Sequence, residues 1–232
     1  MNGLHWKQVF LKLIFVGCTI ISLSSCIDLS GSRSTYVKNS ARLPKQLSHS
    51  AHGLGEIHTM RGGLGIFSIG MNQLRNSVAE HYKIPAYSTM WYNAGHVTRF
   101  IINRYYVQGD HSPIILVGHS LGANEQIKVA RNLNAVGIPV DLLVTIDAVS
   151  QTIVPTNVHY ALNIYKPGYV PMFSGLKLRA VDPTKTIIEN INVTHLKGIT
   201  VNHFTIDKDP LVQALILERV KKVLGNGKQQ GA

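Results

Sequence analysis

Cysteine is nearly missing from this 232-residue chain: there are two, Cys18 and Cys26, both inside the first 26 residues. The rest of the chain therefore has no disulfide framework and no cysteine-based zinc site. Acidic residues are also scarce, 12 against 23 Lys and Arg, so the formal net charge is +11. No internal repeat and no phosphate-binding glycine fingerprint occurs. The eleven histidines are scattered, without the paired spacing to acids that a metal site uses. The longest apolar stretch, Leu13 to Leu23, is too short for a permanent membrane span. What remains fits a single domain of ordinary size with a substantial core.

The most informative segment is Gly118-His119-Ser120-Leu121-Gly122. It follows the β-branched run Pro113 to Val117 and opens a segment of helical period, Gly122 to Asn134. A serine lifted out of a sharp strand-to-helix turn needs small residues two before and two after it, and the two glycines meet that need. In this architecture an acid and then a histidine follow the serine along the chain. The run Asp141 to Ile146 reads as a buried strand that delivers Asp147 at its carboxyl end, where catalytic groups of open α/β sheets collect. A helix cap or loop carboxylate is the plainer alternative for Asp147. Three histidines come after it. His159 lies within the apolar stretch Val158 to Ile164 and reads as a packed or edge residue. His195 and His203 both lie in the last connection, and His203, just before the final helix, is preferred because a loop there can reach over the turn. His119 points away from the turn and reads as structural.

On these residues the chain resembles a small bacterial member of the α/β-hydrolase superfamily, of the lipase, esterase and thioesterase type. The likeness covers about residues 55 to 225 and rests on the turn at Ser120, the strand ending at Asp147, and the stretch His203 to Asp207. It extends to Arg61-Gly62-Gly63-Leu64, which is similar to the loop that supplies the oxyanion hole, with Arg61-Gly62 where the family more often has His-Gly. The resemblance implies a doubly wound α/β fold with a mostly parallel sheet and no large lid. It also implies a serine hydrolase with Ser120 as nucleophile, His203 as base and Asp147 as the acid that orients it. The backbone N–H groups of Leu121 and Gly63 would hold the oxyanion, and no cofactor or metal would be needed. Asp182 is the next acid should Asp147 not serve. A serine acyltransferase or peptidase would use the same three residues, and an idle scaffold that only binds in the envelope is a further alternative.

The first 25 residues carry Lys7 and Lys12, no acid, and then the apolar run, which is a signal-peptide layout. Leu23-Ser24-Ser25-Cys26 resembles the bacterial lipobox, whose cysteine receives a diacylglycerol. This implies membrane attachment through Cys26 in the cell envelope, in the outer membrane where there are two, because Ile27 rather than Asp follows. Residues 26–52, rich in Ser and basic side chains, read as a tether, 53–227 as the hydrolase domain and 228–232 as a tail. Without residues 1–25 the formal charge is +9. That balance suits anionic lipid head groups or phosphorylated glycans better than nucleic acid, although a solvated surface would account for it as well.

Strands are expected near Glu56 to Met60, Pro85 to Trp91, Pro113 to Gly118, Asp141 to Ile146, Val158 to Ile164 and Thr186 to Val193. Apolar residues at helical spacing follow in Phe67 to His81 (Met71, Leu74, Val78), around Val97, Phe100 and Ile101, and from Val212 to Val223. The excursion Pro167 to Pro183 interrupts the alternation and is expected either to cap an acyl pocket or to run over the surface.

Overall fold

Six strands assemble into a parallel sheet whose inner members, built on Ile114 to Val117 and Leu142 to Ile146, are buried on both faces. The structure, a computed structural model, describes residues 55–63 and 65–227. The expected signal segment, Cys26, the tether, Leu64 and the tail lie outside the described residues.

The chain runs β1 (Glu56–Arg61), α1 (Gly70–Tyr82), β2 (Ala86–Met90), α2 (Ala94–Tyr106), β3 (Ile114–His119), α3 (Leu121–Ala135) and β4 (Val140–Ile146). After a short β5 (Ile153–Val154) come β6 (Val158–Tyr165), β7 (Arg179–Ala180), β8 (Ile187–Asn192) and α4 (Pro210–Gly227). The main sheet has the order β2-β1-β3-β4-β6-β8, and every neighbouring pair is parallel. This is a doubly wound α/β architecture. Order reverses between β1 and β3: β1 passes through α1 to β2 on one side, while the later strands add on the other. The connections leaving the carboxyl ends of β1 and β3 therefore run to opposite faces of the sheet, and sheets of this kind bind ligands at such a switch point.

Alternation along β3 divides the core. Ile114 and Leu116 pack with α2 and α3, in a cluster with Val97, Ile101, Ile127 and Leu133. Ile115 and Val117 face the other way, against Met71, Leu74 and Val78 of α1 and Val212, Ile216 and Val220 of α4. Burial of each such side chain contributes roughly 1.5–3 kcal/mol, so the two faces together dominate the stability of the fold. Helix α4 starts at a proline, whose missing N–H would have had no helical partner, and Asp209 Oδ1 accepts the N–H groups of Leu211 and Val212 at 2.9 and 3.2 Å.

Two expectations are corrected. The first helix begins at Gly70 and not at Phe67, because 65–69 form successive turns (Gly65 N–H to Gly62 O, 2.9 Å; Ser68 N–H to Gly65 O, 3.4 Å) that turn Ser68 inward and leave Ile66 and Phe67 exposed. The excursion 167–183 is neither a plain cap nor a plain surface loop. It contains β7, which pairs with β5 in a separate two-stranded parallel sheet (Ile153 with Arg179, Val154 with Ala180), two-residue strands that carry no readable periodicity.

Candidate active site

Ser120 sits between β3 and α3 with φ +57 and ψ −123, a conformation that an L-residue holds only when its surroundings impose it. The surroundings are visible. Its N–H donates to Ile146 O (2.9 Å) at the end of β4, and its carbonyl accepts from the N–H groups of Ala123 (3.0 Å) and Asn124 (3.2 Å) in the first turn of α3. A Cβ on Gly118 would stand 2.6 Å from Ala123 Cα, and one on Gly122 would stand 2.7 Å from Met60 C and 3.0 Å from Arg61 C. The two glycines are thus required for different reasons: Gly118 lets the helix fold back on its strand, and Gly122 lets the helix pass the end of β1.

Asp147 follows β4 directly, with φ +48, and is fully buried. Its Oδ1 accepts the Lys166 N–H at 2.6 Å and its Oδ2 lies 3.2 Å from His203 Nδ1, so neither oxygen is an isolated buried charge. Gly175 packs against it; a Cβ there would come within 2.8 Å of Tyr165 Cβ and overlap the carboxylate. His203 Nε2 lies 2.8 Å from Ser120 Oγ. The structure therefore brings Ser120, His203 and Asp147 into one hydrogen-bonded chain, with the serine and histidine 8 % and 6 % exposed at its open end. With Nδ1–H donated to the carboxylate, Nε2 is left to accept the serine proton.

The other candidates lie elsewhere. His195 ends a 3-10 turn after β8 and is exposed. His159 is exposed near the start of β6, 3.6 Å from Asp141 Oδ1. Asp182 stabilises its own turn by accepting from Thr184 N–H (2.9 Å) and Oγ–H (2.6 Å).

Beside the serine, Gly62 packs under the turn: a Cβ on it would be 2.5 Å from His119 O, 2.9 Å from Ser120 Cβ and 3.0 Å from Leu121 N. The Gly62 N–H is engaged, donating to Ser68 Oγ at 3.1 Å. Gly63, the next residue, has φ +43, with open space where a side chain would stand, and its carbonyl accepts from Trp91 Nε1 at 2.9 Å. Leu121 N opens α3, where helix geometry leaves the first amides without helical acceptors.

Several contributors escape sequence reasoning. Asn124, one turn beyond the serine and fully buried, accepts from Val149, Ser150 and Gln151 N–H at 3.1–3.3 Å and so pins the segment after Asp147. Followed by Glu125 and Gln126, Asn124 carries no sequence signal that sets it apart. Phe173, in the excursion, stands with its ring 5.4 Å from His203 and 5.1 Å from Phe204, and Phe67 lies 5.0 Å from Phe204. Nothing local in the sequence ties Phe173 to the base. Asp207 accepts from the Gly70 N–H at 2.8 Å with Oδ2, at the start of α1, while its buried Oδ1 has no hydrogen-bond partner. Burial pushes its carboxyl up to about 6. Among the described residues no group of three or more His, Cys, Asp or Glu could hold a metal.

No family model and no curated protein sequence matches the chain. Among solved structures it is similar to the type II thioesterase BorB from the borrelidin biosynthetic cluster, at 11% identity and a TM-score of 0.42, over 74% of this chain and 95% of that one. It is also similar to a protein from Xanthomonas campestris pv. campestris assigned as a hydrolase of the α/β superfamily, at 11% identity and a TM-score of 0.36, over 71% and 98%. Likeness at this level assigns no residue a role.

Proposed function

We propose that the protein is a serine hydrolase that cleaves carboxylic esters or thioesters. The observation that carries this reading is the chain Ser120 Oγ to His203 Nε2 (2.8 Å) and His203 Nδ1 to Asp147 Oδ2 (3.2 Å), set on a strained turn at the sheet's switch point. Ser120 Oγ attacks the acyl carbon as His203 Nε2 takes its proton. The tetrahedral oxyanion is met by the N–H groups of Leu121 and Gly63. Collapse expels the alcohol or thiol, which takes the proton from His203, and leaves an acyl-Ser120 ester. Water then attacks with His203 again as base, and the carboxylic acid departs. Asp147 holds the ring with its proton on Nδ1 and stabilises the imidazolium. This chemistry needs no cofactor.

The exposed rings of Phe173 and Phe204 beside His203, with Phe67 against Phe204, support an apolar acyl group as the part of the substrate that is recognised. Attachment to the bacterial envelope by a diacylglycerol on Cys26, with an anionic lipid surface nearby, belongs to the same proposal and rests on the sequence layout alone. The test is hydrolysis of activated acyl esters and thioesters of graded chain length by the purified protein and by Ser120→Ala. The proposal expects turnover by the first and none by the second; equal turnover by a correctly folded Ser120→Ala would overturn it.

A further inference from the structure

His119 is buried (1 % exposed) directly before Ser120, and both of its ring nitrogens are occupied. Nε2 lies 2.8 Å from the carbonyl oxygen of His203. A carbonyl only accepts, so Nε2 carries a proton. Nδ1 lies 2.8 Å from Ser68 Oγ, and Ser68 Oγ in turn receives the Gly62 N–H at 3.1 Å. Burial, reinforced by the His203 charge, lowers the pKa of His119 to about 3, so the ring is neutral and Nδ1 is an acceptor. Every hydrogen is then placed. Gly62 N–H donates to Ser68 Oγ, Ser68 O–H donates to His119 Nδ1, and His119 Nε2–H donates to His203 O. This directed chain joins the two loops that the proposed chemistry needs on opposite sides of Ser120, the one ending in Gly63 and the one presenting the base.

We infer that His119 and Ser68 are positioning residues: through them the Gly62–Gly63 loop and the His203 backbone are held in one register relative to Ser120 Oγ. The inference rests on the serine-hydrolase reading. Nothing in the chain touches substrate, so it acts on the transition state by fixing where donor and base stand. Once His203 is protonated in the cycle, a neutral His119 adds no second positive charge 5.2 Å from it, ring centre to ring centre. Ser68→Ala removes the hydroxyl that donates to His119 Nδ1 and cuts the chain at that link. A glutamine at position 119 offers a donor and an acceptor on a flexible stem in place of the rigid ring, so His119→Gln loosens the same link.

The experiment compares full-length wild type, Ser68→Ala, His119→Gln, the double variant, and His159→Ala as a surface control. Each is measured for kcat and KM on a short activated acyl ester, for the rate of Ser120 labelling by a fluorophosphonate, and for thermal unfolding. Displacement of donor and base costs about 10–100-fold in kcat and in labelling rate, with KM within about threefold because the ground state is still bound. The double variant should be no worse than the poorer single one within about twofold, since both substitutions break one chain. His159→Ala should match wild type. Wild-type kcat in Ser68→Ala and His119→Gln, with the enzyme labelled and active, would overturn the inference while leaving the serine-hydrolase reading in place. So would multiplicative losses in the double variant, or equal changes in KM and kcat that follow the melting temperature. A wild type that neither turns over nor labels would remove the reading itself, and the inference with it.

Discussion

Replacing Gly62 by alanine should separate a loop that is held against the nucleophile from one that merely lies near it. The new Cβ would stand 2.5 Å from His119 O, 2.9 Å from Ser120 Cβ and 3.0 Å from Leu121 N. Ordinary contact begins near 3.4 Å, so the loop must withdraw by several tenths of an ångström to about one, and the opposing atoms cannot yield cheaply because two of the three are backbone. Overpacking of this kind costs about 1–3 kcal/mol, and in a domain of this size each kcal/mol lowers Tm by roughly 2–4 °C. Withdrawal by up to an ångström also carries Gly63 away from the forming oxyanion, for a loss of about 100-fold in kcat. Gly63→Ala is the contrast. It meets nothing within 4 Å but must hold φ +43, so it should lose about 1–2 kcal/mol through backbone strain without that clash. Thermal melts and steady-state ester hydrolysis of both variants decide the matter. Gly62→Ala with wild-type kcat and wild-type Tm would refute the packing argument.

Asp147→Asn should keep the geometry but favour the wrong His203 tautomer and lower kcat on the order of 10⁴-fold, measured on the same ester; a loss of only a few-fold would displace Asp147 from the role. Stability should vary with pH through two opposing groups. His119, depressed to about 3 in the fold against an ordinary 6.5, contributes stability present above pH 6.5 and lost as the pH falls towards 3, about 2 kcal/mol of it by pH 5. Asp207, raised to about 6 from 3.8, contributes stability present below pH 3.8 and lost as the pH rises through 6. Denaturant titrations at pH 5 and 7.5 should therefore show a steeper acid loss in Asp207→Asn than in wild type and a shallower one in His119→Gln. Cys26→Ser should leave the detergent phase on phase partitioning or remain unprocessed; a processed variant still in the detergent phase would contradict lipidation at Cys26.

The inner strands of the sheet were legible because a parallel strand buried on both faces is apolar at successive positions, as Ile114 to Val117 and Leu142 to Val144 are. The site was legible where the chain signals its own geometry: glycines flanking Ser120, and Asp147 at a strand end. The preference for His203 over His195 came from position in the last loop, and the structure brings His203, and not His195, to the serine. The short pairing of β5 with β7 was not legible, because two-residue strands have no period. Nor was the role of Ser68, since it falls within the expected helix Phe67 to His81, whereas the turns of 65–69 point it at His119. His119 reads from the sequence only as structural; its two bonds, to loops about fifty and eighty residues away, exist only in the folded chain.

Reaction with a fluorophosphonate, followed by peptide mass mapping, reveals whether Ser120 is activated without requiring the natural substrate. A covalent adduct is expected on Ser120 in the wild type, none in Ser120→Ala, and little in His203→Ala, while His195→Ala should label as wild type does. An unlabelled, correctly folded wild type, or an adduct that survives His203→Ala undiminished, would contradict that activation.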